Sequence, residues 1–396
     1  MSLLDQIAAS GAADSGPDRN ADERVAKELA SIQARFRQAA EDLEDARFPS
    51  ADGHPRAIDE LPWYILIGAP GSGKTTALLN SGLRFPLYTA NSSASVPGVG
   101  GTRNCDWWFA DEAVLLDTAG RYTTQESDRK ADAAAWHGFL GLLKASRPER
   151  PLNGALVTVS VLDLMLWSKA ERAKFAAHVR MRLSEMYAVL NQRFPVYVLV
   201  TKMDLLAGFI EFFGDYDQTA RQQVWGTTFE HDIDPALIAQ PYARDFAALE
   251  GRLGAEMLAR LHEEPDLQRR AAIYRFPQQF HPIGPLVGEF LAQAFGTQVN
   301  HRALQLRGAY FTSGTQEGNP IDRVLATMAR TFRLERSAAV VGTGTGKGYF
   351  VTRLLRDVVF PEHGLAEVET PPPAPPYDEE SPAAQHPVPA QAGTQP

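Results

Sequence analysis

Gly68-Ala69-Pro70-Gly71-Ser72-Gly73-Lys74-Thr75 matches the pattern G-x-x-x-x-G-K-[ST] in full. The stretch follows an apolar, strand-like run at 63–67 and precedes a helical sequence at 76–80. Its glycines allow backbone N–H groups to wrap around a phosphate, and the N-terminus of the following helix adds positive potential there. Residues 68–75, the Gly68 loop, therefore predict a nucleotide site, with Lys74 on the β and γ phosphates and the Thr75 hydroxyl on Mg²⁺.

A second motif, Asp117-Thr118-Ala119-Gly120, follows the apolar run at 113–116. Ligands of open α/β sheets bind at the carboxyl ends of the strands, so we expect Asp117 to lie near the Gly68 loop. There its carboxylate can hold Mg²⁺ through water, and the Gly120 N–H is placed to sense a γ-phosphate. Alone, Asp-x-x-Gly is usually a turn; beside the Gly68 loop it indicates a metal site.

A third motif, Thr201-Lys202-Met203-Asp204, follows the apolar run at 196–200 and resembles the (Asn/Thr)-Lys-x-Asp base-reading signature of GTPases. The Asp204 carboxylate can accept both N–H donors of guanine, whereas adenine lacks that pair of donors. We therefore favour GTP over ATP as the nucleotide. Thr201 stands where asparagine is commoner, so we expect a weaker link from this turn back to the Gly68 loop.

Two parts of the expected site have weaker signals. We expect the threonine that closes over Mg²⁺ to be Thr102, in the glycine-rich stretch 98–104, with Thr89 as the alternative. Arg121 stands where many small GTPases have the glutamine that positions the attacking water, so we expect slow intrinsic hydrolysis. Arg121 and Gln125 are only weak catalytic candidates.

The predicted site residues are therefore as follows. The nucleotide-binding set is Gly68, Pro70, Gly71, Ser72, Gly73, Lys74, Thr75, Thr76, Gly120, Thr201, Lys202 and Asp204. The predicted Mg²⁺ ligands are Thr75, Asp117 and Thr102, and the cofactor is Mg²⁺ with GTP, or with ATP.

Composition limits the other classes of function. The chain has 396 residues, a formal net charge of -9 and one cysteine, Cys105. Lys and Arg form no block, which argues against a nucleic-acid partner, and one cysteine excludes an internal disulfide. No stretch has the roughly 18 apolar residues that a membrane span needs, and the N-terminus has no signal-peptide pattern. We expect a soluble, cytoplasmic protein.

The pattern along the chain predicts an α/β fold, a P-loop GTPase-like, mainly parallel sheet flanked by helices. Strands are predicted at 63–67, 107–109, 113–116, 155–161, 196–200 and 272–276, the last leading into a base-flanking loop at 277–279. The predicted units are a flexible N-terminus (1–21), an amphipathic helical segment (22–56), the GTPase-like domain (57–300, helical insertion about 205–269), a small C-terminal α/β subdomain (301–363) and a disordered Pro/Ala-rich tail (364–396). The stretch 342–348 looks like another phosphate loop with altered spacing, and we interpret it as a flexible turn.

The wider sequence resembles the cytoplasmic NTPase-like module of the IcmF/TssM family of bacterial type VI secretion systems. The stretches that carry the resemblance are 61–64, 76–86, 100–109, 117–124, 193–197, 276–280, 307–318 and 357–362. The resemblance implies a part of the inner-membrane complex, on the cytoplasmic face of the membrane, with TssL and TssJ, baseplate components and further copies of itself as partners. Typical members also carry membrane spans and a periplasmic region. This chain contains neither, which fits an excised fragment or a natural soluble relative.

Three functions stay open on the sequence alone. The first is a structural switch in which Mg²⁺ and GTP order the Thr102 and Gly120 loops and so change a partner surface. The second is an energy-coupling NTPase, using ATP or GTP, whose turnover partners stimulate. The third is a scaffold with a relic nucleotide site. Whether the chain is an enzyme is therefore left open.

Overall fold

The computed structural model describes residues 60–85, 105–125, 128–231, 233–296, 303–314 and 347–368, together with helical positions between 23 and 34. A seven-stranded sheet forms the centre, in the order β2-β3-β1-β4-β6-β8-β7. The strands β3, β1, β4, β6 and β8 run parallel, and the edge strands β2 and β7 are antiparallel to their neighbours. The described strands are β1 (Trp63–Gly68), β2 (Cys105–Phe109), β3 (Val114–Thr118), β4 (Gly154–Ser160), β5 (Gln192–Arg193), β6 (Val196–Thr201), β7 (Gly226–Thr228), β8 (Leu306–Phe311), β9 (Ser313–Gly314), β10 (Gly348–Tyr349) and β11 (Glu367–Val368).

Helices cover both faces of this sheet, which confirms the α/β class with a mainly parallel sheet. None of the described helices combines the length and the apolar character that a membrane span requires. The described α-helices are α1 (Lys74–Leu79), α2 (Gly120–Thr124), α3 (Arg129–Ser146), α4 (Val161–Leu166), α5 (Lys169–Leu190), α6 (Phe209–Phe213), α7 (Gln218–Arg221), α8 (Ala239–Glu263), α9 (Leu267–Phe280) and α10 (Ile283–Phe295).

The sheet separates two apolar cores. Every residue of β1 is buried, as expected for a central parallel strand covered on both faces. Ile65 and Ile67 point into the larger core, and Tyr64 and Leu66 point into the smaller one. Leu29, from the N-terminal helical positions, joins the larger core against Gly138, where a Cβ would lie 2.4 Å from the Leu29 side chain.

The strand predicted at 272–276 is wrong, because these residues lie inside α9. Ile273, Phe276 and Phe280 are buried, and their spacing of three and four residues is the period of a helix. A short apolar run cannot by itself separate a strand from a helix. The stretch 277–279 is therefore helical, so it is not a base-flanking loop after a strand.

β8, which falls within the predicted C-terminal subdomain (301–363), belongs to the main sheet. It pairs in parallel with β6 and antiparallel with β7, which comes from the predicted helical insertion. The predicted tail also begins too early, because β11 at Glu367–Val368 pairs with β5. Of the stretch 342–348, only Lys347 and Gly348 fall within the described residues, and Gly348 begins β10.

The C-terminal segment (residues 347–368) closes the smaller core and is held by a polar cluster. Arg307 on β8 donates from Nε to Glu362 Oε2 at 2.9 Å and from Nη2 to Oε1 at 2.6 Å. The Tyr197 hydroxyl donates to the same carboxylate at 2.7 Å, and the Tyr64 hydroxyl donates to the Val359 carbonyl at 2.9 Å. These bonds attach the segment to three strands of the sheet, β1, β6 and β8, of which β6 and β8 are neighbours.

We expect Glu362→Gln to lower the free energy of unfolding by about 2 kcal/mol, because the mostly buried Arg307 charge would lose its counter-charge. The side chains are 10% and 20% exposed. Arg353→Gln is the control, since its ion pair with Asp357 is 52% and 43% exposed and should contribute less than about 1 kcal/mol. Urea unfolding compares the two. Equal losses would mean that the Glu362 cluster does not hold the segment.

Candidate functional site

The Gly68 loop leaves the carboxyl end of β1 and enters α1 at Lys74. Gly71 and Gly73 have φ of 73° and 91°, a left-handed conformation that favours glycine. The Ser72 N–H donates to the Ala69 carbonyl at 3.1 Å, which closes the turn. Pro70 and Gly71 lie exposed at its tip, so the loop faces solvent at the edge of the sheet.

Lys74 is buried beneath this loop and is 7% exposed. Its ammonium donates to the carbonyls of Gly68 at 3.0 Å and Ala69 at 3.2 Å. Burial lowers the pKa of Lys74 to about 8, with the Asp117 charge opposing the shift and the Lys202 charge adding to it. A phosphate group would add a second negative charge to that of Asp117 and so stabilise the Lys74 cation further.

Thr75 and Asp117 meet as the sequence predicts. The Thr75 hydroxyl donates to Asp117 Oδ2, and the Asp117 side chain is fully buried at the end of β3. A hydroxyl and a carboxylate are hard oxygen donors, and Mg²⁺ is commonly held by one or two carboxylates together with water and substrate phosphates. The pair therefore fits Mg²⁺ bound with a nucleotide. Among the described residues, no group of three or more His, Cys, Asp or Glu side chains could hold a metal ion by itself.

Three threonine hydroxyls hold the Gly68 loop from neighbouring elements. Thr123 of α2 accepts from the Gly68 N–H at 3.0 Å, and Thr158 of β4 lies 2.7 Å from the Ser72 hydroxyl. Thr201, at the end of β6, donates to the Ser72 carbonyl. The link expected from Thr201 back to the Gly68 loop is thus made by its hydroxyl, and its strength relative to an asparagine link stays a prediction.

Asp204 is 7% exposed and is bonded to a residue that the sequence did not single out. The Ser313 hydroxyl donates to Asp204 Oδ1, and the Asp204 N–H donates to Ser313 Oγ at 3.2 Å. Ser313 begins β9, two residues after the end of β8, the neighbour of β6 in the sheet. The signal that could have found it is its place after the strand-like sequence 304–312. Ser313, and not the stretch 277–279, is therefore the residue that lies beside Asp204.

Asp163 is a further charged group that sequence reasoning missed. It lies half-buried in the first turn of α4, directly after β4, the strand between β1 and β6. Burial raises the pKa of Asp163 to about 6, and the Lys202 charge opposes that shift. Lys202 itself has a left-handed φ of 62°, and its Cγ lies 3.8 Å from a Cβ placed on Gly73. Lys202 therefore lies over the Gly68 loop as well as beside the Asp204 turn.

Of the two weak catalytic candidates, Arg121 is bonded to another residue and Gln125 lies at the end of α2. Arg121 Nη1 donates to Asp132 Oδ1 of α3 at 2.6 Å, and the guanidinium stacks on the Tyr122 ring. Gln125 ends α2 with a φ of 49° and is 9% exposed. Thr102 and Thr89 lie outside the described residues. Thr76 is half-buried on α1, with its Cγ2 3.0 Å from a Cβ placed on Gly314.

Comparison with known proteins finds relatives that cover most of the chain. The family described as the IcmF-related N-terminal domain matches residues 129–371. The type VI secretion system component TssM1 of Pseudomonas aeruginosa is 50% identical over 354 residues, 89% of this chain but only 32% of that protein. A solved structure, the signal recognition particle receptor SRb-GTP/SRX complex from Chaetomium thermophilum, is 18% identical with a TM-score of 0.25, over 36% of this chain and 70% of that one. A likeness this low does not establish a shared fold or function.

We expect Lys74→Met to stabilise the nucleotide-free protein at pH 7 by about 2 kcal/mol, because it removes a buried cation. Below pH 8 Lys74 is protonated both folded and unfolded, and its charge opposes folding. Between pH 8 and about 10.4 the folded state loses the proton first, so the wild type gains stability as pH rises and the advantage of the variant shrinks.

Urea unfolding at pH 7, 8.5 and 10 measures this difference. Lys169→Met is the control, because the Lys169 side chain is 80% exposed and its replacement should have no comparable pH trend. An advantage of Lys74→Met that stays constant over this range would contradict the lowered pKa.

Proposed function

The chain belongs to the IcmF/TssM family, and from that membership we propose that it binds a nucleotide with Mg²⁺, GTP being favoured, and acts as a conformational switch in a type VI secretion inner-membrane complex. The observation that supports nucleotide binding most is the meeting of Lys74, Thr75 and Asp117 at one edge of the sheet. A buried cation beside a hydroxyl–carboxylate pair suits a metal-bound phosphate.

The preference for guanine rests on Asp204. Its carboxylate lies on the same edge as the Gly68 loop, two strands away, and Ser313 fixes its orientation. A carboxylate only accepts hydrogen bonds, so it matches the two adjacent N–H donors of guanine and leaves adenine without an equivalent pair. When bound, Mg²⁺ would neutralise phosphate charge next to Thr75 and Asp117.

A switch without fast turnover fits the surroundings of Gly120. In the described structure Arg121 is engaged by Asp132, so the position after Gly120 presents no free group to an attacking water. The proposed partners are TssL- and TssJ-type membrane-complex proteins, baseplate components and further copies of the chain, at the cytoplasmic face of the inner membrane. These partners are inferred from membership of the family. The chain spans only 32% of the length of the curated relative, so the partners of that whole protein are a proposal for this chain.

Calorimetric titration with GTP, GDP and ATP in the presence of Mg²⁺ tests nucleotide binding. We expect GTP and GDP to bind and ATP to bind at least about tenfold more weakly. Lys74→Met should weaken GTP binding about 10- to 100-fold, because a charge-assisted phosphate contact is lost. Equal binding of ATP, with turnover raised by partner proteins, would favour the energy-coupling NTPase. Absence of binding would leave only the scaffold.

Asp204→Asn tests the base contact separately. An amide donates one hydrogen bond and accepts another, which matches the N–H and carbonyl of xanthine instead of guanine. We expect the variant to prefer XTP over GTP by about 10- to 100-fold, reversing the wild-type order. Asp215→Asn is the control, since that side chain is 70% exposed on the surface. An unchanged preference for GTP in Asp204→Asn would remove Asp204 from base recognition.

A further inference from the structure

The segment after Asp117 is bound into the core of the protein. Tyr122 of α2 is fully buried, with its ring centroid 6.0 Å from that of Trp136 on α3. Arg121 is bonded to Asp132 of α3, whose side chain is 1% exposed. The helices α2 and α3 are therefore joined by an aromatic contact and a partly buried ion pair, and we expect them to move together.

The same segment touches the Gly68 loop at two points. A Cβ on Gly120 would lie 2.3 Å from the Pro70 nitrogen, so the two backbones are in direct contact. Three residues later, the Thr123 hydroxyl accepts from the Gly68 N–H at 3.0 Å. Thr123 is 1% exposed, so no solvent competes for this amide.

The other side of the loop is equally closed. A Cβ on Gly68 would lie 2.3 Å from Thr158 Oγ1 and 2.5 Å from the Thr158 carbonyl. Gly68, the first residue of the loop, is thus held between β4 and α2, and its N–H donates to the Thr123 hydroxyl. A change in the position of α2 would therefore act on this amide directly through the Thr123 hydroxyl.

We propose that Thr123 is a positioning residue of the phosphate site, whose hydroxyl sets the geometry of the Gly68 loop and joins the loop to the α2–α3 pair. The proposal rests on the proposed nucleotide binding, and it assigns the loop geometry to a residue that touches no ligand. Because both the diphosphate and the triphosphate need the loop, Thr123 should affect both equally. A residue acting through the γ-phosphate contact at Gly120 would affect GTP alone.

The test compares Thr123→Val, which keeps the shape but removes the acceptor, with Thr123→Ser, which keeps the hydroxyl. We expect Thr123→Val to raise the Kd values for GDP and GTP alike, about fivefold, and Thr123→Ser to restore them. Thr227→Val is the matched control. It removes a hydroxyl that donates to Asp245 Oδ2 at 2.6 Å, is 5% exposed, and lies on the far edge strand. It should lower Tm without changing either Kd.

Amide hydrogen exchange of the nucleotide-free protein gives a second readout. We expect the Gly68 amide to exchange about tenfold faster in Thr123→Val than in Thr227→Val of similar Tm. Unchanged exchange, unchanged Kd values or a loss confined to GTP would each overturn the role of Thr123. If the wild type bound no nucleotide, the proposed function would fail, while the exchange comparison would still decide whether Thr123 holds the loop.

Discussion

The close packing of the Gly68 loop against its neighbours is the constraint on which the rest of the site depends. Gly68 and Gly120 have no room for a side chain, because Thr158 and Pro70 occupy that space. This approach brings the hydroxyls of Thr123, Thr158 and Thr201 within reach of the loop. A loop shaped by fixed hydroxyls keeps its form without a ligand, so less ordering remains to be done when one binds.

The second face of the sheet explains why the C-terminal segment belongs to the same unit. The smaller core lies between α1 and this segment, and Arg307 and Tyr197 anchor it through Glu362. The segment also supplies β10, which pairs with β9 next to Ser313. The residue that orients Asp204 is therefore part of a pairing that residues 348–349 complete. Packing on one face and geometry at the candidate base site are built from the same chain segment.

Sequence predicted the parts of the site that are written in contiguous motifs. Lys74, Asp117 and Asp204 each lie at or just after the carboxyl end of a buried parallel strand. An apolar run with a defined motif at its end can be recognised locally. Ser313 and Thr123 were missed because their roles depend on which strands are neighbours, and that order is set by long-range pairing. The strand expected at 272–276 failed for the opposite reason: its local pattern fits a helix equally well.

The charges around the Gly68 loop bear on the proposed binding of a phosphate. Burial and the Lys202 charge lower the pKa of Lys74, whereas the Asp117 charge opposes that shift. The Lys202 charge also opposes the rise that burial causes in the pKa of Asp163. Without a ligand, the buried Lys74 charge opposes folding, so any bound phosphate stabilises the folded state by mass action. One of the two weak catalytic candidates is committed elsewhere, since Arg121 joins α2 to α3 through Asp132. Breaking that pair to free a catalytic arginine would leave Asp132 buried without its cation, a cost that weighs against turnover by the chain alone.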